Sequence, residues 1–282
     1  MNTKPKEINI SEKVKIGGSQ PLFLIGGPCV LESEDHAIFL ATQIKTVCNN
    51  LGIPYIFKAS YDKANRSSLA SYRGPGYPEG LQVLDNIKNT LNIPVLSDVH
   101  ETSQVEKAAQ ILDILQIPAF LCRQTDLLVE VARTGKPVNI KKGQFLAPHD
   151  IKNTVEKVLS QGNANILLTE RGTSFGYNNL VFDVRSIPIM KNLGFPVVID
   201  ASHCVQKPGG EGTYSGGDAE FIPHIASAGI AAGADGVFLE IHDNPPKALS
   251  DGPNSLNINN LEDLLRILMR VKNAIHNKDN SV

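Results

Sequence analysis

Eight short apolar runs, each leading into a stretch that could form a helix, dominate this chain and restrict its fold more than any other feature. The runs are 22–26 (LFLIG), 55–59 (YIFKA), 94–98 (PVLSD), 114–119 (ILQIPA), 138–142 (VNIKK), 165–170 (NILLTE), 196–201 (PVVIDA) and 236–241 (GVFLEI). Between them lie amphipathic stretches such as 33–50, 104–112, 150–159 and 219–231, with apolar residues three and four apart. Residues 261–275 supply an eighth and last helix. Strand–helix alternation at this spacing implies parallel strands joined by right-handed crossovers. Eight units without a break in composition predict an α/β chain closed into a (β/α)₈ barrel. A length of 282 residues suits one such barrel. Residues 1–282 are therefore read as one domain, with 1–20 as an N-terminal extension.

Two segments fall outside the repeat. Residues 8–10 and 14–16 are separated by 11–13 and alternate as a small hairpin would. Its expected place is a plug over the N-terminal end of the barrel. Residues 206–217 (QKPGGEGTYSGG) hold five glycines and a proline. They follow the seventh strand and are expected to be irregular, a mobile loop over an active site.

Formal net charge is −2, so no overall field recruits nucleic acid or an anionic membrane, and any anion binding must be local. The four cysteines (Cys29, Cys48, Cys122, Cys204) form no CxxC pair, as expected of a reduced cytoplasmic protein. No run is long and apolar enough for a signal peptide or a membrane span, which again predicts a soluble cytoplasmic chain.

In (β/α)₈ enzymes the chemistry sits at the C-terminal ends of the strands. Here those ends are polar. Cys29 follows strand one. Lys58 lies in strand two, with Lys63, Asn65, Arg66 and Ser67 just beyond it. Asp98 and His100 follow strand three, and Gln116, Phe120 and Arg123 strand four. Then come Lys141 and Lys142, Glu170 and Arg171, Asp200 and His203, and finally Glu240 and His242. A single lysine at a strand end reads as solvated surface charge. Five or more cations on one rim, in a chain of net charge −2, imply an anionic ligand bearing phosphate and carboxylate groups.

Cys29, His203, Glu240 and Asp251 form a second set. A thiolate, an imidazole and two carboxylates suit a divalent transition metal, and strands one and eight are neighbours in a closed barrel. The blander readings stay open at this point: Cys29 as a small filler after Pro28, and His203 as a hydrogen-bonded strand-end histidine. His100 and His242 are read as supporting or solvent-facing. Cys48, Cys122 and Cys204 are read as packing.

From about residue 20 to about 275 the chain resembles the 3-deoxy-D-manno-octulosonate 8-phosphate synthases. The segments that carry the likeness are 26–33 (GGPCVLES), 57–68 (FKASYDKANRSS), 118–126 (PAFLCRQTD), 138–148 (VNIKKGQFLAP), 169–179 (TERGTSFGYNN), 200–210 (DASHCVQKPGG) and 247–251 (KALSD). The resemblance implies a homotetramer of (β/α)₈ barrels that condenses phosphoenolpyruvate with arabinose 5-phosphate, a step toward a lipopolysaccharide sugar. It implies that Lys58, Lys141 and Arg171 hold phosphoenolpyruvate, with Gln116 nearby. Asn65, Arg66 and Ser67 would grip the aldose phosphate, with Phe120 and Arg123 reaching it from a neighbouring subunit. Lys63, Asp98 and His203 are the implied catalytic residues.

One branch of that family needs a metal, and the other has asparagine where this chain has Cys29. The resemblance therefore implies one divalent ion per subunit (Zn, Fe, Mn or Co) on Cys29, His203, Glu240 and Asp251. Related enzymes that use erythrose 4-phosphate carry KPRTS where this chain has 63–67 (KANRS), which favours arabinose 5-phosphate. The rival readings are a metal-dependent aldolase (a lyase), that erythrose 4-phosphate enzyme, and a non-catalytic sugar-phosphate or metal-binding protein.

Overall fold

The computed structural model describes residues 4–66, 68–209 and 216–276. Its eight long strands are β1 (Phe23–Gly27), β2 (Tyr55–Lys58), β3 (Val95–Asp98), β4 (Ile114–Ile117), β5 (Val138–Lys141), β6 (Ile166–Glu170), β7 (Val197–Asp200) and β8 (Gly236–His242). Each pairs in parallel with the next, and β8 returns to β1 with Glu240 opposite Gly27. The sheet is closed. The expected (β/α)₈ barrel is the fold, and every expected strand is present with ends moved by a residue or two.

The longer helices between and after the strands are α1 (Glu34–Leu51), α2 (Glu79–Leu91), α3 (Thr102–Ile111), α4 (Thr125–Arg133), α5 (Ile151–Leu159), α6 (Ser186–Lys191), α7 (Ile222–Ala231) and α8 (Leu261–His276), and a single helical turn, Ala201–Cys204, follows β7 directly. Their apolar stripes bury residues such as Leu40, Ile44, Leu84, Val105, Leu128, Val155 and Ile230 against the outside of the barrel. Ser33 starts α1 by accepting the backbone N–H of His36, and Gly52 ends it in the left-handed region.

Side chains in a strand alternate between faces, so each barrel strand splits its residues between two cores. Leu24, Phe57, Leu115, Ile140, Leu168, Ile199 and Leu239 point outward to the helices. Phe23, Ile25, Ile56, Leu96, Ile114, Leu167, Val198 and Phe238 point inward. The same inner cluster contains Ile8, Ile10, Val14 and Ile16. These come from the N-terminal hairpin, where Ile8–Asn9 pairs antiparallel with Lys15–Ile16. The hairpin stops the bottom of the barrel, as expected.

The inward positions two residues further along the strands are different in kind. Ile56 is followed by Lys58, Leu96 by Asp98, Ile114 by Gln116, Val198 by Asp200 and Phe238 by Glu240, all buried. A period of two carries each strand from an apolar floor to a polar mouth. The 206–217 segment is not wholly irregular: Gln206–Lys207 pairs antiparallel with Gly216–Gly217. That corrects the expectation at its two ends. Glycine has no Cβ to obstruct a close approach, and one at Gly217 would meet Asn254 Cβ at 2.7 Å. Residues 210–215, at the centre of the expected mobile loop, lie outside the described residues. No described helix is long and apolar enough to cross a membrane.

Candidate active site

One cavity opens at the C-terminal mouth of the barrel. It is lined by Lys58, Lys63, Asn65, Arg66, Asp98, Gln116, Phe120, Lys141, Arg171, His203 and Asp251. All but two of the expected substrate residues therefore meet in one place. Arg123 is exposed and does not line the cavity of its own chain, and Ser67 lies outside the described residues.

The floor is the Phe238 ring, with Lys141 Nζ 3.7 Å and Lys58 Nζ 5.5 Å from its centroid. Lys58 Nζ bonds Glu240 Oε1 at 2.9 Å and the Cys29 carbonyl at 3.0 Å. Lys141 Nζ bonds Asp200 Oδ2 at 2.5 Å. Burial draws the Lys141 ammonium below its ordinary value, against the opposing pull of Asp200. Arg171 donates through Nη2 to Gln206 Oε1 at 3.2 Å, while its buried Nη1 has no partner among the described residues. A buried donor without an acceptor is costly, so this one is poised for an anion in the cavity.

Asp98 accepts from Ser60 Oγ at 2.6 Å and from the His100 ring at 2.9 Å. His100 thus supports Asp98 from behind, one of the two readings left open for it. Burial alone would push the Asp98 carboxyl up. His100, Lys58 and Lys63 override that and hold it well below the carboxylate range.

Cys29, His203, Glu240 and Asp251 converge beside the cavity. Cys29 Sγ lies 3.2 Å from Asp251 Oδ2. His203 Nε2 lies 3.5 Å from that same oxygen and 3.7 Å from Glu240 Oε1. Glu240 Oε2 is buried without a hydrogen-bond partner among the described residues. Burial, and then the Asp251 charge, push the Cys29 thiol up to about 12. Burial also pulls the Lys63 ammonium down, but Cys29, Asp251, Glu240 and Asp98 more than reverse it and hold Lys63 above its ordinary value.

Backbone shape delivers two of the four. Gly27 brings β1 against β2 just before Cys29, where a Cβ would sit 2.2 Å from the Lys58 carbonyl oxygen. Asp251 itself occupies the left-handed region at φ 54°, a conformation that non-glycine residues seldom hold and that concentrates at functional sites.

The sequence model of the DAHP synthetase I family matches residues 5–277. The chain belongs to that family. It is 59% identical over 266 residues to a 2-dehydro-3-deoxyphosphooctonate aldolase of Geobacter metallireducens, covering 94% of this chain and 97% of the relative. The protein of the same name from Geobacter sulfurreducens is 56% identical over equal shares. That from Geotalea uraniireducens is 58% identical, over 95% of this chain and 97% of the relative. These relatives carry the octulosonate name, in line with the resemblance read from the motifs.

Within this DAHP synthetase I barrel, two residues matter that the sequence did not assign a role. Asp200 accepts the His203 backbone N–H at 2.9 Å and approaches His203 Nδ1 at 2.8 Å. It thereby fixes the ring with Nε2 facing Glu240 and Asp251, as carboxylates behind ligating histidines do. An aspartate three residues before a histidine, at a strand end, was the available signal. Ser250 Oγ accepts from Arg66 Nη1 at 2.6 Å and lies 3.2 Å from Cys29 Sγ. It joins the two halves of the mouth, and no local spacing announces that.

Proposed function

We propose that this chain condenses phosphoenolpyruvate with D-arabinose 5-phosphate and water to give 3-deoxy-D-manno-octulosonate 8-phosphate and phosphate, for lipopolysaccharide sugar synthesis. The observation that carries this is the meeting, in one mouth, of Lys58, Lys141 and Arg171 with Lys63, Asn65 and Arg66. The names borne by relatives above 50% identity support it.

Lys58, Lys141 and the free Nη1 of Arg171 hold the phosphate and carboxylate of phosphoenolpyruvate, with Gln116 beside them. Asn65 and Arg66 grip the aldose phosphate. Asp98 orients the hydroxyls of the aldose. These charges offset repulsion between two anionic substrates and fix the reacting carbons near one another. The enol carbon of phosphoenolpyruvate attacks the aldehyde, and Lys63 protonates the new alkoxide. Water adds to the resulting cationic carbon, giving a hemiketal phosphate. The C–O bond to phosphorus-bound oxygen then breaks and phosphate leaves.

Cys29, His203, Glu240 and Asp251 suit a divalent ion, one per subunit. The unpartnered Glu240 Oε2 and the mixed sulfur, nitrogen and oxygen donors fit Zn, Fe, Mn or Co. Such an ion would supply Lewis acidity toward the aldehyde or the water. Exposed Phe120, Phe145, Phe175 and Tyr177 are apolar surface suited to association between copies, in line with the homotetramer that the resemblance implies; Phe120 lines the cavity of its own chain, which leaves Arg123 to serve a neighbouring site. Four unpaired buried cysteines favour the cytoplasm.

The test is phosphate release from phosphoenolpyruvate with arabinose 5-phosphate or erythrose 4-phosphate, in chelated and metal-restored enzyme. Turnover with arabinose 5-phosphate that depends on metal is expected. Preference for erythrose 4-phosphate overturns the substrate. Full activity after chelation overturns the metal, and cleavage without phosphate release returns the lyase reading.

A further inference from the structure

Glu32, His36 and His242 form a second group of metal-ligating side chains, outside the catalytic mouth. One ligand atom from each lies within 4.8 Å of the other two. Glu32 precedes the Ser33 cap, His36 occupies the first turn of α1, and His242 ends β8. His242 is 5% exposed. His242 Nε2 faces Glu32 Oε1 at 3.3 Å, and His36 Nδ1 faces Glu32 Oε2 at 4.0 Å. Both nitrogens are buried and neither has a hydrogen-bond partner among the described residues.

The opposite sides of both rings share one carboxylate. Asp243 Oδ1 lies 2.8 Å from His36 Nε2 and 3.1 Å from His242 Nδ1. A carboxylate behind a ligating imidazole takes its far N–H and leaves the near lone pair for a cation. Ligand atoms about 2.1 Å from one ion stand roughly 3 to 3.5 Å apart, so the 3.3 Å pair already fits, while the 4.0 Å pair and the 4.8 Å outer limit of the group must close by side-chain rotation. Two imidazoles and a carboxylate are a donor set for divalent first-row transition metals, with positions left for water.

We propose that Glu32, His36 and His242 bind a second divalent transition-metal ion, with Asp243 orienting both rings. Without the ion, the Asn244 amide donates to His242 Nδ1 at 2.9 Å, which places the ring proton on Nε2. Ion binding moves that proton to Nδ1, where Asp243 accepts it, and the Asn244 amide gives up its acceptor. The ion would tie the start of α1 to the loop that presents Ser250 and Asp251, because Glu32 Oε1 already accepts the Leu249 N–H at 2.8 Å. This site stands independently of the ion proposed on Cys29.

The experiment counts tightly bound Zn²⁺ by equilibrium dialysis of the full chelator-stripped chain, with Co²⁺ absorption as a second probe. Wild type, Cys29→Asn, His36→Gln and the double variant are compared, each checked for fold by circular dichroism. His36→Gln should lose one equivalent relative to its parent in both backgrounds. Asp243→Asn, at a half-exposed position, should weaken the same equivalent about 10- to 100-fold. It decides the matter if His36→Gln does not fold. Equal counts with and without His36, or an affinity indifferent to Asp243, overturn the site. Equal counts in wild type and Cys29→Asn count against the Cys29 ion alone.

Discussion

Asp200→Asn preserves shape, removes one charge, and tests how the mouth is held together. Asp200 is fully buried and contacts three donors: the His203 amide through Oδ1, and Lys141 Nζ and His203 Nδ1 through Oδ2. Burial alone would raise its carboxyl, but His203 and Lys141 override that and hold it well below the carboxylate range. An asparagine has one acceptor where the aspartate has two. If its NH₂ replaces Oδ2, it faces the Lys141 ammonium; if it replaces Oδ1, it faces the His203 amide. Either way donor opposes donor. Leaving one member of a buried ion pair uncompensated costs about 3–5 kcal/mol. Unfolding entropy scales with length, so for 282 residues this corresponds to a Tm lowered by roughly 5–8 °C. With its NH₂ toward Lys141 and His203 Nδ1, the variant also favours His203 with its proton on Nε2, the nitrogen facing Glu240 and Asp251. Affinity for the ion proposed there should fall about 10- to 100-fold. Calorimetry of the metal-free protein measures the first effect, and competition against a chelator of known affinity measures the second. An unchanged Tm together with unchanged affinity would refute the view that Asp200 neutralises Lys141 and sets the His203 tautomer.

Ile16→Ala should cost about 2–5 kcal/mol in urea unfolding, because Ile16 is wholly buried in the plug at the floor of the barrel. KM should not change, and a raised KM would show that the hairpin shapes the mouth. Gly27→Ala should lower kcat/KM about 100-fold, since its Cβ would push Lys58 and Cys29 apart. Near-normal kinetics would mean that β1 yields without moving them. For His100, burial lowers its ring pKa, but Asp98 reverses this and holds it above the ordinary histidine value. Its contribution to stability is therefore full below that ordinary value and fades as pH rises through the folded value. The stability gap between wild type and His100→Gln should shrink as pH rises above the ordinary histidine value of about 6.5, and a constant gap would contradict the charged pair.

What the sequence revealed depended on how local each signal was. A period of two links Ile56 to Lys58 and Val198 to Asp200, so the inward polar rim could be read strand by strand. The same rule separates Lys141, which faces the cavity, from its neighbour Lys142, which is buried among the carbonyls of Gly143 and Leu146. Ser250 was beyond such rules. It meets Cys29 across 221 positions and Arg66 across 184, contacts that exist only once the barrel has closed. The 206–217 segment misled in the opposite way. Its glycines suggested irregularity, yet Gly216 and Gly217 supply a strand, and a Cβ at Gly217 would collide with Asn254. Glu32 and His36 are four apart across the start of α1, a spacing visible in the sequence, but His242 comes from the far end of the chain. Sequence periodicity places each ligand on its element; barrel closure brings elements from opposite ends of the chain together. Chemistry that needs both is therefore seen as a set of candidates in the sequence and as a site only in the fold.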